Sequence, residues 1–263
     1  MQSTKEREEE MSARECPSCK KMVDDSVDAC PACGWQFNVG LGKGGASIVR
    51  PAIRPKMPCE VQVAFTDDRT GSSDQFKVGI PITVEGILTP VVAKAREVKV
   101  WLQTHGDLDE GQDMVLLLDG GTAEDAKKAI KAVVYEGGGD APEHHLDAVD
   151  RLVNTVPWIA DPRKARGAIV LLATADSKPA RSGKTARQIG EEIKKRGILL
   201  YLVCEETPQL RELADAAGGW LFKISNTPDQ NELAQIASKV AASITIAAGA
   251  GATVPLTVAQ KVA

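Results

Sequence analysis

Two groups of residues in this chain have the types and spacing to hold metal ions. Cys16-Pro17-Ser18-Cys19 and Cys30-Pro31-Ala32-Cys33 are C-x2-C pairs with ten residues between them. Four thiolates so arranged suit the corners of a tetrahedron, the geometry zinc prefers. Gly34 after the second pair lets the backbone turn its amides toward the sulfurs; Lys20 after the first pair is less suited to that turn. Two disulfides are the competing reading, but nothing in the sequence suggests secretion, and disulfides are rare in reducing compartments. The second group is Asp68, Thr70 and Ser72, an acid and two hydroxyls at alternate positions of Ala64-Phe65-Thr66-Asp67-Asp68-Arg69-Thr70-Gly71-Ser72-Ser73. A hard cation such as Mg2+ takes oxygen ligands, and the end of a buried strand fixes them while leaving one side open.

Those oxygens need a scaffold, and the hydrophobic pattern supplies one. Residues 61–65 read as a strand running into the Asp68 loop. Ile80, Val84, Ile87 and Val91 recur at helical spacing, with Pro81 and Pro90 expected to kink or shorten that helix. Val98, Val100 and Leu102 alternate as a strand; residues 114–118 form a short apolar run bounded by Asp119-Gly120-Gly121; Thr122 and Asp125 cap a helix to about Val134. A helix starting at Ala141 or Pro142 buries Leu146, Val149, Leu152, Val153 and Val156. A strand ending at Asp176 follows, then a helix with Ala186, Ile189 and Ile193 inward, a strand over 198–203, a helix over 210–217, a strand at 220–222 and a last helix carrying Leu233, Ile236, Val240 and Ile244. Such alternation predicts an α/β fold, a doubly wound, mostly parallel sheet covered on both faces. Ligands bind such sheets outside the carboxyl ends of the strands, where Asp68, Asp140 and Asp176 are expected. Each acid also has a plainer role: Asp140 as a helix N-cap ahead of Pro142, Asp68 and Ser72 as caps of the first helix, Asp176 as a loop acid.

Asp68-x-Thr70-x-Ser72 resembles the D-x-[ST]-x-S signature of von Willebrand factor A (vWA) domains, whose metal-ion-dependent adhesion site lies where the first strand meets the first helix. Gly137-Gly138-Gly139-Asp140-Ala141-Pro142-Glu143 and Ile169-Val170-Leu171-Leu172-Ala173-Thr174-Ala175-Asp176 strengthen the likeness, which covers about residues 59 to 245. The resemblance implies that Asp68, Thr70, Ser72, Asp140 and Asp176 hold Mg2+, Mn2+ or Ca2+, directly or through water, and that a protein partner takes the open position. It also implies a binding protein and not an enzyme, of the kind that serves as adaptor or scaffold in intracellular prokaryotic signalling, stress or defence assemblies. Thr70 stands for the commoner serine and keeps the hydroxyl. Asp140 stands where many members have threonine; with three carboxylates the ion and its ligands reach a formal charge of -1, which favours resting metal binding and weakens attraction for an acidic partner. Residues 15–37 likewise resemble a short zinc ribbon, a module with so little core that zinc supplies most of its folding free energy.

The full chain has 263 residues, 43% of them hydrophobic, enough for one sizeable core and a small appended module. The expected organisation is a charged tail (1–14), the ribbon (15–37), a basic Gly/Pro linker (38–58), the vWA domain (59–246) and a tail (247–263). A net charge of -4 and 4% aromatic content argue against broad nucleic-acid binding. The alternative is a nucleic-acid-associated ribbon and linker, with Lys43, Arg50, Arg54 and Lys56 as contacts and the vWA domain as scaffold. The first ten residues lack the apolar segment of a signal peptide, so a cytoplasmic protein is expected. The uncharged run 240–260 contains Pro255 and much Ala, Gly and Thr, and no membrane span is expected.

Cys59 and Cys204 read as small buried hydrophobes. Ser182-Gly183-Lys184-Thr185 resembles the end of a phosphate loop, but Lys178 occupies the position of its upstream glycine. His144 and His145 diverge by about 100° on a helix and do not share a metal. No nucleophile and base are suggested by position, so hydrolase chemistry has no support. Residues 252–258 are strand-like, and either pack on their own domain or support assembly on a neighbour.

Overall fold

The computed structural model describes residues 13–16, 19–24, 27, 30–32, 37, 57–139, 141–225 and 227–250. The chain divides into two compact units, residues 1–53 and 54–263. Cys33, Asp140, the linker over 38–56 and the tail over 251–263 lie outside the described residues.

In the first unit, β1 (Ala13–Glu15) pairs antiparallel with β2 (Met22–Asp24). The turn between them is closed by Lys20 N–H on the Cys16 carbonyl and Cys16 N–H on the Lys21 carbonyl, both 2.8 Å. Among its described residues Cys16, Val23 and Cys30 are buried, with Cys19, Val27 and Phe37 packed against them. The Arg14 guanidinium lies 3.7 Å from the centre of the Phe37 ring and donates to the Val27 carbonyl.

The second unit is built on β3 (Met57–Asp68), β4 (Ala95–His105), β5 (Val115–Gly121), β6 (Ala165–Leu172), β7 (Leu199–Cys204) and β8 (Trp220–Lys223), in sheet order β5-β4-β3-β6-β7-β8. All pairings are parallel except β4 with β5. Helices cover both faces. Val61, Val63, Phe65, Val170 and Tyr201 face α1 (Gly79–Lys94), α2 (Ala123–Lys131) and α6 (Gln230–Ala250). Ala64, Trp101, Ile169, Leu171 and Leu202 face α3 (His145–Thr155), α4 (Ala186–Lys195) and α5 (Pro208–Ala217). This is the expected α/β arrangement with a mostly parallel sheet. Among the described residues no helix is long and apolar enough to cross a membrane.

Several boundaries differ from the sequence expectation. α1 runs through Pro90 to Lys94. Pro81 stands in its first turn, where N–H groups have no intrahelical partner, and Pro90 costs one bond in a helix whose Ile80, Val84, Ile87 and Val91 are all buried. Gly86 lets that helix approach α6 so closely that an added Cβ would lie 2.9 Å from the Ala237 methyl. α2 is capped by Thr122 and Asp125 but ends at Lys131, leaving Val134 exposed. α3 begins at His145 with His144 at the N-cap, so the capping role considered for position 140 falls away; its buried stripe is as expected. Before it, Glu143 N–H bonds the Asp176 carbonyl at 2.9 Å, a bridge that holds this segment extended. β6 ends at Leu172, four residues short of Asp176.

Candidate functional site

β3 is central and its carboxyl end opens into the loop at the point where the strand order reverses between β3 and β6, the usual crevice for ligands in such sheets. Alternation along β3 sends Asp68 to the α3 side and Asp67 to the opposite side, and both are fully buried. Asp68 Oδ1 accepts from the Thr70 hydroxyl at 2.7 Å and from its N–H at 3.0 Å. Thr70 Oγ1 lies 3.0 Å from Ser72 Oγ, and Ser72 Oγ lies 3.1 Å from Thr174 Oγ1. Thr174 also meets Ser73 Oγ at 3.1 Å and reaches Asp68 Oδ2 at 3.4 Å. The structure thus joins Asp68, Thr70 and Ser72 in one ring of oxygens, closed by Thr174 from the segment after β6. Ser72 is on the exposed side of this ring.

A glycine segment supports the loop from outside. Gly71 N–H bonds the Gly137 carbonyl at 2.8 Å, and Glu136 N–H bonds the Arg69 carbonyl at 3.0 Å. Gly137 and Gly138 have φ of 72° and 80°, a left-handed turn natural to glycine, and a Cβ on Gly138 would sit 3.0 Å from Thr70 Cβ. Asp176 is half-buried and its Oδ1 accepts from Ser177 N–H at 2.8 Å. Asp140, the next residue after the glycines, lies outside the described residues.

Beneath the ring runs a polar column that the sequence reading missed. Gln103 donates to Thr66 Oγ1 at 3.0 Å; Thr66 Oγ1 meets His105 Nδ1 at 2.9 Å; His105 Nε2 meets His145 Nδ1 at 2.8 Å. Burial pushes His105 down to about 3 and lowers His145 as well, so both rings are neutral at pH 7. Burial alone would raise Asp68, but the His145 and His105 rings, which take up charge only in acid, and the Thr70 donors outweigh it and hold the carboxyl below its usual 3.8. Period-two spacing of Thr66 with Asp68, and of Gln103 with His105, was the available signal. On the other face Asp67 is pushed well above 3.8 by burial, with Tyr135 OH donating to its Oδ2 at 2.7 Å.

A second acidic cluster stands on the same rim. Asp107, Asp109 and His144 place ligand-type atoms within 4.8 Å of one another. Lys178 Nζ occupies that space, 3.0 and 2.9 Å from the two Asp107 oxygens and 3.0 Å from Asp109 Oδ2. Arg181 bonds Asp109 Oδ1 at 2.7 Å, and His144 Nδ1 accepts from Leu108 N–H at 3.1 Å. Lys178 and Arg181 hold Asp109 down to about 2. His144 and His145 do diverge, one to this cluster and one to His105.

The donor set of the oxygen ring, whose hydroxyls are hydrogen-bonded to one another, would suit a hard divalent ion. Neighbouring ligands on an octahedron with bonds near 2.1 Å are about 3 Å apart, which matches the 3.0 and 3.1 Å separations of Thr70, Ser72 and Thr174. In the first unit Cys19 Sγ and Cys30 Sγ are 3.7 Å apart, close to the roughly 3.8 Å edge of a zinc–thiolate tetrahedron and far beyond a disulfide bond. Cys16 completes a group of three that could hold a metal. Lys20 has φ of 62°, the turn for which glycine is the easier residue. Cys59 and Cys204 are buried single thiols, and burial pushes Cys204 up to about 12. Thr185, from the phosphate-loop-like stretch, is simply the N-cap of α4, and Lys184 pairs with Asp150 and Glu192.

Sheet order, two helical layers and the loop at the switch point define the second unit as a von Willebrand factor A fold. Among solved structures, one described as the crystal structure of the SpRpn10 VWA domain is similar with a TM-score of 0.52 and 14% identity, covering 66% of this chain and 92% of that one. Comparison with protein-family models and with curated protein sequences gives no match.

Proposed function

We propose that this protein is a non-catalytic adaptor that captures a protein partner through a divalent ion at the Asp68 loop. The carrying observation is the ring in which Asp68, Thr70, Ser72 and Thr174 converge around a buried carboxylate with Ser72 on the exposed side. Hydroxyls bind a cation without neutralising it. Asp68, Thr70, Ser72, Asp140 and Asp176 hold the ion, directly or through water. A partner oxygen completes the coordination. The likeness to a vWA domain supports this reading, since binding of proteins is the general use of that fold. Cys16, Cys19, Cys30 and Cys33 hold zinc and fold the first unit, giving a second docking surface. Such an adaptor serves an intracellular assembly, where thiolates stay reduced.

The test is metal analysis of the purified full chain beside Asp68→Ala. One zinc in both, with Mn2+ or Mg2+ bound by the wild type alone in calorimetry, is the expected result. Equal divalent binding by both proteins, or none by the wild type, defeats the proposal for the loop.

A further inference from the structure

β5 is an edge strand of an unusual kind. It has β4 on one side and, among the described residues, no strand on the other. Val115, Leu116 and Leu117 are 41%, 43% and 39% exposed. Natural edges are guarded against pairing by charged side chains, proline, bulges or a covering element; β5 reads Val-Leu-Leu-Leu-Asp-Gly-Gly, and its one charge, Asp119, follows the apolar run and accepts from Trp101 Nε1 at 2.8 Å. Three consecutive apolar side chains beside unpaired backbone form a template for another strand.

The chain contains a segment of matching chemistry. Ala252-Thr253-Val254-Pro255-Leu256-Thr257-Val258 is uncharged and alternates, so an extended conformation sets Val254, Leu256 and Val258 on one face. In an antiparallel pair, alternate residues turn their backbone groups toward the neighbour. When residues 254, 256 and 258 do so, Pro255 faces outward, where its missing N–H costs nothing and blocks a further strand.

Connectivity favours the β5 of a second copy when Val254 stands opposite Gly121. α6 continues to Ala250, and its end is fixed beneath the middle of the sheet: Cys59 Sγ donates to the Ala248 carbonyl at 3.0 Å, and Arg166 Nε to the Ala247 carbonyl at 3.2 Å. Cys59 and Arg166 stand at the amino ends of β3 and β6. The vacant position beyond β5 is three strand spacings from β3, about 14 Å. Its nearer end, Gly121, pairs with Val100, which pairs with Val63, four residues or about 13 Å further along the strand than Cys59. The diagonal is about 19 Å, whereas four residues from Ala250 to Val254 span at most about 14 Å. The segment cannot reach its own β5 in that register.

We infer that residues 252–258 of one copy of this chain add as an antiparallel strand to β5 of a second copy. Each copy carries both donor and acceptor, so reciprocal exchange closes a dimer. The inference does not depend on the metal site.

The test is sedimentation of the full chain, of Leu116→Lys at the acceptor and of Leu256→Asp at the donor, singly and mixed. The wild type is expected to dimerise with rising concentration and each variant to lose the dimer. The equimolar mixture regains one of the two exchanges, and with it a weaker dimer, because the Leu256→Asp copy keeps an intact β5 and the Leu116→Lys copy keeps an intact tail. A destabilised fold does not produce such complementation. A wild type that stays monomeric, a dimer indifferent to both substitutions, or a mixture that behaves as the sum of its parts overturns the inference.

Discussion

Two acidic clusters share the rim of one sheet and solve the same problem in different ways. At Asp107 and Asp109 the cation belongs to the chain: Lys178 Nζ touches three carboxylate oxygens within 3.0 Å, and Arg181 supplies the second charge. At Asp68 the neighbours are hydroxyls of Thr70, Ser72, Ser73 and Thr174, which can turn either a proton or a lone pair toward the centre. A residue of fixed positive charge makes a closed structural unit. A ring of hydroxyls around a buried carboxylate is, on the proposed function, a place for a cation from solution.

The largest effect is expected where the built-in cation is removed. Asp107 is fully buried, and losing its partner from a buried pair costs about 3–5 kcal/mol. Lys178→Met is expected to lower stability by that order in urea unfolding, and adding Asp107→Asn to restore much of it. The comparison is sharpened by Lys178→Ala, which leaves Asp107, Asp109 and His144 around an open space. In an Asp68→Ala background, Mn2+ or Zn2+ is expected to raise the unfolding midpoint further when Lys178→Ala is present than when Lys178 is kept. If Lys178→Ala makes no such difference, the cluster is shaped for an ammonium only.

At the other cluster the effect is on affinity. Asp68→Ala is expected to abolish Mn2+ binding, while Thr174→Val, which keeps the volume and removes one oxygen, weakens it by about 10-fold. Equal affinity in Thr174→Val and wild type, read by calorimetry, places the ion away from the segment after β6.

Acid provides a milder test. The folded pKa of His105 is depressed to about 3 from 6.5, so the unfolded chain binds a proton that the folded chain refuses. Stability from this group is present above pH 6.5 and is lost as pH falls toward 3, by at most about 1.4 kcal/mol per pH unit. His105→Gln is expected to flatten that slope; an unchanged pH profile between 6.5 and 4 means that the ring is already compensated in the fold.

Much of this was legible because it rests on periodicity. The buried stripe Leu146, Val149, Leu152, Val153 and Val156, the Thr122 and Thr185 caps and the succession of strands are local patterns. What escaped depends on tertiary contact. Pro90 did not end α1, because packing against α6 outweighs one lost hydrogen bond. The rim residue that touches Asp68 is Thr174, two positions before the acid that drew attention, because β6 ends at Leu172 and the turn after it sets which side chain faces β3. His105 and His145 are 40 residues apart in sequence and meet only in the folded sheet. The run Met114 to Leu118 read as an apolar segment, but only the strand order showed it to be an exposed edge.

The smallest effect concerns a third way of neutralising a rim carboxylate. Asp67 adjoins Asp68 in sequence but faces the other helical layer, where it meets neither a lysine nor a ring of hydroxyls. Tyr135 donates to Oδ2, and Oδ1 is buried with no hydrogen-bond partner among the described residues. Burial raises its pKa well above 3.8, which favours the protonated over the charged carboxyl. A raised folded pKa means that the group's contribution is fully present below about pH 3.8 and is lost as pH rises toward the folded value. Asp67→Asn keeps the acceptor for Tyr135 and cannot ionise, but it sets an amide where Oδ1 is now unsatisfied, which offsets part of the gain. A net stabilisation of about 1 kcal/mol at pH 7, vanishing below pH 4, is expected in paired urea titrations. A variant less stable than wild type at pH 7 and equal to it at pH 4 would show Asp67 ionised in the fold, and the cation serving Asp68 would then have a second carboxylate directly behind it.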